Sequence, residues 1–418
     1  MLKKIKNISK SISSNKDGKT VSVNFGYLLV LQVSGYIFPL LTIPYLARVI
    51  GTNGFGKIAF ASAVMVWFHT VTDWGFNYTA TRDLSLNRDD PKKVSEIFSN
   101  VLWARILLMF FSLIILIITI YIIPLFYENR IILLTSFLLV PGWIFFPEWF
   151  FQAVEKMKFI TVFSLISRAI STGLVFIYIN NEDDYIFQPL FMGLGQILCG
   201  SIAMYIIIFK WKVKLHPPNL IKIFTTIKKS TDVFLNNLLP NLYNSFSIVL
   251  LSFFGGSVAT GIFDAGNKFI EISDQFLRLI SRAAFPLLSR KISLHNLYQK
   301  IYLYSAIIIS FSLFCLADII VNIFYTAAFD DAKIVLRILS VSTVFSALNS
   351  IYGINFMIIK GYEKQLRNIT TIWSILGLII AIPLIYYFGY IGTCITILTV
   401  KIFLGLHTTF FAKRIVTL

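Results

Sequence analysis

Between residues 262 and 286, five ionisable side chains interrupt a stretch otherwise rich in Phe, Ile and Leu: Lys268, Glu271, Asp274, Arg278 and Arg282. At about 100° per residue of helix, these five and Gln275 fall within an arc of about 120°. Phe269, Phe276, Leu277, Ile280 and Leu287 occupy the other side, and Phe285 intrudes on the polar arc. Such a face offers cations that can hold an anion and carboxylates that can exchange a proton or a metal cation. Asp274 and Arg278 are spaced to pair one turn apart, as are Lys268 and Glu271, so mutual neutralisation along the helix is one reading. It leaves Arg282 over, close enough to a helix end to snorkel. A face lining a wet interior is preferred, because an ionisable residue at mid-membrane costs at least ~2.5–3.5 kcal/mol and is kept mainly at functional sites.

Six further charges lie in apolar surroundings: the cations Arg105, Arg168 and Lys401 and the anions Asp73, Glu148 and Asp318. Arg168 and Lys401 sit in mid-stretch. Arg105 is near enough to an end to snorkel, and Arg48, closing the first apolar block, is read as reaching the outer interface. Deep positive charge favours an anionic cargo over a cationic drug. A guanidinium matches diphosphate oxygens in a bidentate fork, whereas Lys supplies a point charge. His69, His216, His295 and His407 are scattered, and Cys199, Cys315 and Cys394 lie inside apolar stretches without metal spacing. The residues predict no metal site, no bound cofactor and no enzymatic acid–base pair.

Only a membrane can position charges in this setting. Of the 418 residues 57% are hydrophobic and 14% charged, with a mean hydropathy of +0.77, whereas a soluble domain carries roughly 25% charged residues. The apolar residues come in blocks of about twenty or more, the length that crosses a hydrocarbon core of about 30 Å. Helices are predicted at 24–49, 57–80, 101–124, 131–153, 159–179, 186–209, 233–255, 262–286, 301–325, 334–359, 369–388 and 390–412, about twelve in all.

The net charge of +17 would suggest nucleic acid in a soluble protein. Here the Lys and Arg residues gather in alternate loops, so no nucleic-acid partner is expected. Lys3, Lys4, Lys6, Lys10, Lys16 and Lys19 precede the first helix, and Arg82, Arg88, Lys92 and Lys93 follow the second. Lys156 and Lys158, the run from Lys210 to Lys229, Arg290, Lys291 and Lys300, then Lys360, Lys364 and Arg367, and finally Lys413 and Arg414 continue the series. Residues 180–184 and 387–390 carry no positive charge, and Lys57, Arg130 and Lys333 are the main exceptions. The alternation predicts that both termini face the cytoplasm. The apolar stretch after the basic N-terminus is too long for a signal-peptide core and ends without a small-residue cleavage site, so it is expected to stay as the first helix.

The domain division follows: a cytoplasmic basic segment 1–23, a six-helix lobe 24–209, a cytoplasmic linker 210–231 containing Pro217 and Pro218, and a second six-helix lobe 232–418. Six helices per lobe imply a parallel repeat about an axis along the membrane normal. Gly51 and Gly56, after the first helix of one lobe, are echoed by Gly256 and Gly261 in the other. No loop has room for a nucleotide-binding domain, and no Gly-rich phosphate loop ending in Gly-Lys-Ser/Thr is present. Pro39 and Pro44 in the first helix and Pro141 and Pro147 in the fourth supply bends that a rocking transporter needs.

Several strings carry a resemblance. Pro44-Tyr45-Leu46-Ala47-Arg48-Val49-Ile50-Gly51 with Gly54-Phe55-Gly56, Asp73-Trp74-Gly75-Phe76-Asn77 running through Thr79-Ala80-Thr81-Arg82-Asp83, and Phe146-Pro147-Glu148-Trp149-Phe150-Phe151-Gln152 with Glu155-Lys156-Met157 resemble O-antigen flippases of the Wzx type. Asn241-Leu242-Tyr243, Phe285-Pro286-Leu287-Leu288-Ser289 and Val335-Leu336-Arg337-Ile338-Leu339 match more loosely. Together they are similar to the polysaccharide-transport branch of the multidrug/oligosaccharidyl-lipid/polysaccharide exporter superfamily. The resemblance implies an all-α integral membrane protein of two six-helix lobes around a central cavity open alternately to each side. The implied cargo is an undecaprenyl-diphosphate-linked oligosaccharide, and the implied seat a bacterial cytoplasmic membrane. A monomer is the default for the fold, with polysaccharide polymerase and ligase as partners in the same process. Val400-Lys401 departs from the family, whose members often carry a carboxylate near the twelfth helix.

The expected function is therefore a flippase, not an enzyme. Arg168, Arg278, Arg282 and Lys401, with Arg105 and Lys268, are the candidate substrate-binding cations. Glu271, Asp274, Asp318, Glu148 and Arg82 are candidates for coupling or gating, with a proton or sodium gradient as the driving species. Arg82 and Glu148 match family motifs near the cytoplasmic end. A multidrug antiporter of the same fold would use Glu271 and Asp274 for cation exchange, though each has a cation within reach on its own helix. A membrane polysaccharide polymerase would need a larger outer loop than any here.

Overall fold

The structure is a computed structural model that describes residues 16–417; the first fifteen residues, with Lys3, Lys4, Lys6 and Lys10, lie outside the described residues. The described chain is helical with short turns. Among the described residues ten segments are long and apolar enough to cross a membrane, and two of them are far too long for one crossing: 220–290, with 71 residues, and 363–415, with 53. At 1.5 Å per residue a straight helix of that length would run ~80–105 Å, against a core of ~30 Å. Each is divided at a glycine that only a residue without Cβ can occupy at low cost. Gly256 has φ 74 and ψ −178 within the helix Ser245–Arg290, and Gly389 has φ 54 and ψ −128 within Glu363–Thr417.

Both glycines turn the chain back on itself. The hydroxyls of Ser252 and Thr260 are 2.9 Å apart, though in a straight helix that separation would span about 12 Å. Gly392 likewise lies against the Leu384 carbonyl. With these two turns the ten segments become twelve crossings, and the chain is an all-α membrane protein.

In chain order the helices used below are α1 (Lys16–Val49), α2 (Gly51–Asp73), α3 (Phe76–Leu86), α4 (Pro91–Ile122), α5 (Arg130–Phe137), α6 (Leu139–Phe145), α7 (Glu148–Ala153), α8 (Met157–Tyr178), α9 (Phe187–Tyr205), α10 (Leu220–Leu238), α11 (Ser245–Arg290), α12 (His295–Cys315), α13 (Ala317–Phe324), α14 (Ala332–Leu348) and α15 (Glu363–Thr417). Local sequence explains several boundaries. Asp90 accepts hydrogen bonds from the amides of Lys92 and Lys93, and Pro91 occupies the first turn, so α4 starts ten residues ahead of its predicted span. The predicted helix 131–153 is three pieces, and the last break follows from Pro147, which holds Phe146 at φ −101 and ψ 83, outside the helical region. Residues 220–231, read as part of a loop, are helical in α10. Ile223, Ser230 and Phe234 recur on one buried face there, and that periodicity sustains the helix. After α14 the chain widens to π-helical pitch over Asn349–Ile358.

By internal contacts the chain forms two units. Among the described residues, one comprises 16–42, 68–180 and 186–235, and the other 43–67, 181–185 and 236–417. In the first unit an aromatic core joins the Phe-rich string to Trp211: Phe150, Phe151 and Phe159 all meet its ring at 5.4–6.0 Å. In the second unit the start of α2 packs on α11 with backbone against backbone. A Cβ on Gly56 would collide with the Ser257 carbonyl, and one on Gly261 with the carbonyl of Thr52. The glycine echo of the sequence is thus a point of contact, as expected where membrane helices approach closely.

Candidate functional site

In the first unit the charged centre is built around Asp73, Arg105, Glu148 and Arg168. Trp74 at φ 43 and Gly75 at φ 78 make a tight turn between α2 and α3, directly after Asp73. The turn is pinned by Trp74, whose ring stacks on Phe234 at 3.9 Å and whose indole N–H donates to Thr231 Oγ1 at 3.3 Å. Arg105 of α4 is 3% exposed and Asp73 5% exposed, with their charged atoms 3.8 Å apart. Arg105, near enough to a helix end to snorkel, pairs inside the protein, because a buried guanidinium needs a counter-charge. The pair is loose: Arg105 Nε and Asp73 Oδ1 lack hydrogen-bond partners among the described residues.

Arg168 of α8 reaches α1, where its Nη1 donates to the Leu31 carbonyl at 3.0 Å and to Ser34 Oγ at 2.7 Å. Gly35 leaves the space, since a Cβ there would stand 3.4 Å from the same nitrogen. Glu148, the first residue of α7, is within electrostatic reach of Arg168, Arg105 and Asp73. Arg82 is apart from this centre; it is exposed and pairs with its neighbour Asp83 at 3.2 Å. Asp83 is also held by Lys229 of α10 at 2.5 Å.

In the second unit a cavity of about 470 Å³ lies among α11, α14 with its π-helical extension, and α15. Glu271, Asp274, Gln275 and Arg278 line it from α11, and Lys401 from α15. Lys268 and Arg282 are outside that lining. Neither intrahelical pair read from the spacing forms as an ion pair. Asp274 meets Lys401 at 3.0 Å instead of Arg278, and Lys401 also donates to Ser342 Oγ at 3.3 Å. Lys268 faces Asp264 at 3.9 Å instead of Glu271, while Glu271 accepts from Asn267 at 2.9 Å. Arg278 and Arg282 are exposed. Asp318 of α13 lies elsewhere and pairs with Arg337 of α14 at 2.6 Å.

Sequence reasoning passed over Asp264, although it stands one turn before Lys268 and the spacing was visible. It also passed over Asn267 and Asn349, both on the cavity wall. Asn349 owes its place to the π-helical stretch it opens, and a neutral amide in an apolar block gives little signal. Among the described residues no group of three His, Cys, Asp or Glu side chains converges to hold a metal.

The family described as “Polysaccharide biosynthesis protein” matches residues 21–292. A candidate O-antigen transporter of Escherichia coli (strain K12) is 30% identical over 386 residues, 90% of this chain and 93% of that one. Another of Shigella dysenteriae is 24% identical over 393 residues, 92% and 98% of the two chains. Among solved structures, the lipid II flippase MurJ in an inward closed conformation superposes with a TM-score of 0.73 at 16% identity, over 92% of this chain and 87% of that one. An inward-facing multidrug resistance MATE family transporter of the MOP superfamily gives 0.62 at 14% identity, over 90% and 94%. At such identities the two structures speak for a shared fold.

Proposed function

Because the chain belongs to the polysaccharide biosynthesis protein family, we propose that it is a flippase of the bacterial inner membrane for an undecaprenyl-diphosphate-linked oligosaccharide. The cargo is an O-antigen repeat or a related surface-polysaccharide unit, carried from the cytoplasmic to the outer face by alternating access. The observation that carries this reading is the kinship to two candidate O-antigen transporters over nine-tenths or more of each chain. The charged centres suit the task. Arg278 and Arg282, exposed, and Arg168 are the cations assigned to the diphosphate, whose oxygens a guanidinium can fork. Arg105, Lys268 and Lys401 already face carboxylates and set the field around them. The lipid tail stays in the bilayer.

Arg82 and Glu148 are assigned to gating or packing at the cytoplasmic end. Glu271, Asp274 and Asp318 are the carboxylates through which a proton or sodium gradient would drive the cycle. The two lobes are taken as residues 24–209 and 232–418, with 1–23 and 210–231 and both chain ends in the cytoplasm, in accord with the loop charges. The protein acts as a monomer that hands its product to a polymerase and ligase.

The deciding experiment is depletion of the protein, followed by location of the lipid-linked sugar. Build-up of single undecaprenyl-linked repeat units on the cytoplasmic face is the expected result. Units that reach the outer face and stay unpolymerised would assign the chain to polymerisation and end the flippase reading.

A further inference from the structure

Between the end of one membrane crossing and the start of the next, residues 210–224 set cations beside bare apolar side chains. The crossing of α9 continues as a π-helical turn over Ile206–Lys210. The Trp211 and Val213 amides close it by donating to the Ile206 and Ile207 carbonyls at 2.9 and 3.1 Å. Lys212, between them, sits at φ 56, a left-handed position that suits glycine and that a lysine occupies at a cost. Strain of this kind gathers where a side chain has a task.

The chain then runs as a strap pinned to α4. The Lys214 amide donates to Ser95 Oγ at 3.1 Å and the His216 amide to Ser99 Oγ at 2.9 Å, while the Trp103 indole N–H donates to the His216 carbonyl at 2.9 Å. Val213 is buried, whereas Lys210, Lys212 and Lys214 are exposed. Among the described residues these three form no ion pair. Lys222 and Lys229 differ, since Glu96 and Asp83 hold them at 2.6 and 2.5 Å. Loop lysines that only set orientation need neither a fixed backbone nor a strained one.

Apolar surface adjoins the row on both sides. Leu198, Ile202, Tyr205 and Phe209 follow one another at helical spacing and are all exposed, an apolar stripe for lipid to cover that ends beside Lys210. Leu220, Ile221 and Phe224 at the start of α10 are exposed too, Ile221 to 80%. As helix, residues 220–255 would extend ~54 Å against a hydrocarbon core of ~30 Å, so the first turns of α10 reach the headgroup layer. An acidic protein would answer the lysines but not the lipid-facing stripe that leads to them.

We propose that the strap and the start of α10 hold an anionic phospholipid of the surrounding bilayer, its phosphate on Lys210, Lys212 and Lys214 and its acyl chains along the exposed stripe of α9. The diphosphate of a lipid-linked cargo has the same chemistry, and the test separates the two sources.

The full chain, purified in detergent, is titrated with pyrene-labelled phosphatidylglycerol and phosphatidylethanolamine, and binding is read by energy transfer from tryptophan. The wild type should prefer the anionic lipid by about tenfold or more, and salt raised from ~0.1 to ~1 M should erase most of that preference. One lysine beside an anionic lipid is worth about fivefold. Lys210→Gln, Lys212→Gln and Lys214→Gln together should therefore weaken phosphatidylglycerol at least tenfold. The joint change of Lys156→Gln and Lys158→Gln, exposed lysines of another loop, should alter it less than about twofold. Lys212→Gly alone should weaken binding about fivefold yet raise the melting temperature of the lipid-free protein, because glycine relieves the backbone. A lysine without a ligand would show the second effect and not the first. Equal affinity for the two phospholipids overturns the site, as does an equal loss in the Lys156 and Lys158 control. An unchanged triple variant, the result if the lysines serve an acidic protein, overturns it as well. Displacement of bound phosphatidylglycerol by equimolar undecaprenyl diphosphate would assign the lysines to the cargo and end the proposal.

Discussion

The Lys401 ammonium and the Asp274 carboxylate meet at 3.0 Å across two helices, with only 14% and 12% of their side chains exposed. Each is the other's counter-ion, and Arg278, one turn from Asp274 on its own helix, forms no ion pair with it. Removing one partner leaves a largely buried charge without its counter-ion, which typically costs about 3–5 kcal/mol, whereas replacing both by apolar groups is close to neutral. Lys401→Met and Asp274→Leu should each lower the midpoint of heat-induced aggregation in detergent, and the double variant should recover most of the loss. Additive losses in the double variant would show that the pair is not coupled.

Arg278 and Arg282 carry a different expectation, because both are exposed. Their replacement by Ala should cut surface polysaccharide about tenfold or more, the worth of one charge-assisted hydrogen bond to the cargo. Protein content of the membrane fraction should stay at the wild-type level. Normal surface polysaccharide in both variants would remove these two cations from the transport path.

The proposed cytoplasmic placement of both chain ends predicts a labelling pattern. In spheroplasts of a strain carrying a cysteine-free version, an impermeant maleimide should modify Asp183→Cys at once. Arg88→Cys and Lys413→Cys should react only after permeabilisation. The opposite pattern would invert the topology.

Gly256 sits at φ 74 and ψ −178, where a side chain is strained by about 1–3 kcal/mol. Gly256→Ala should therefore lower thermal stability although nothing lies within 4 Å of the new methyl. Gly56→Val has ordinary backbone angles but no space against Ser257, so it should be the more damaging change. Folding yield and melting of the two variants separate backbone strain from steric overlap.

The crossings were legible because a bilayer imposes one length and one polarity on every span. Even the turns at Gly256 and Gly389, which leave no polar loop behind, fell where the apolar blocks were divided. The charges were legible as positions but not as partners. Lys401 and Asp274 are 127 residues apart, and helical periodicity pairs a side chain only with its own helix. Asp73 and Arg105 escaped for the same reason, since they belong to different helices. The π-helical stretch had no signal either, because extra backbone width arises from packing and not from a residue type.

The contact of Gly56 with Gly261 also orders events in time. Residues 43–67 leave the ribosome early, yet the helix they rest against does not exist until Gly261 has been made. At ~5–20 residues per second the wait is on the order of 10–40 s. For that interval the bare backbone around Gly56 has lipid, or an insertion chaperone, where its own chain will later be. Nascent-chain crosslinking from this hairpin should thus catch the machinery of membrane insertion first and residue 257 only afterwards.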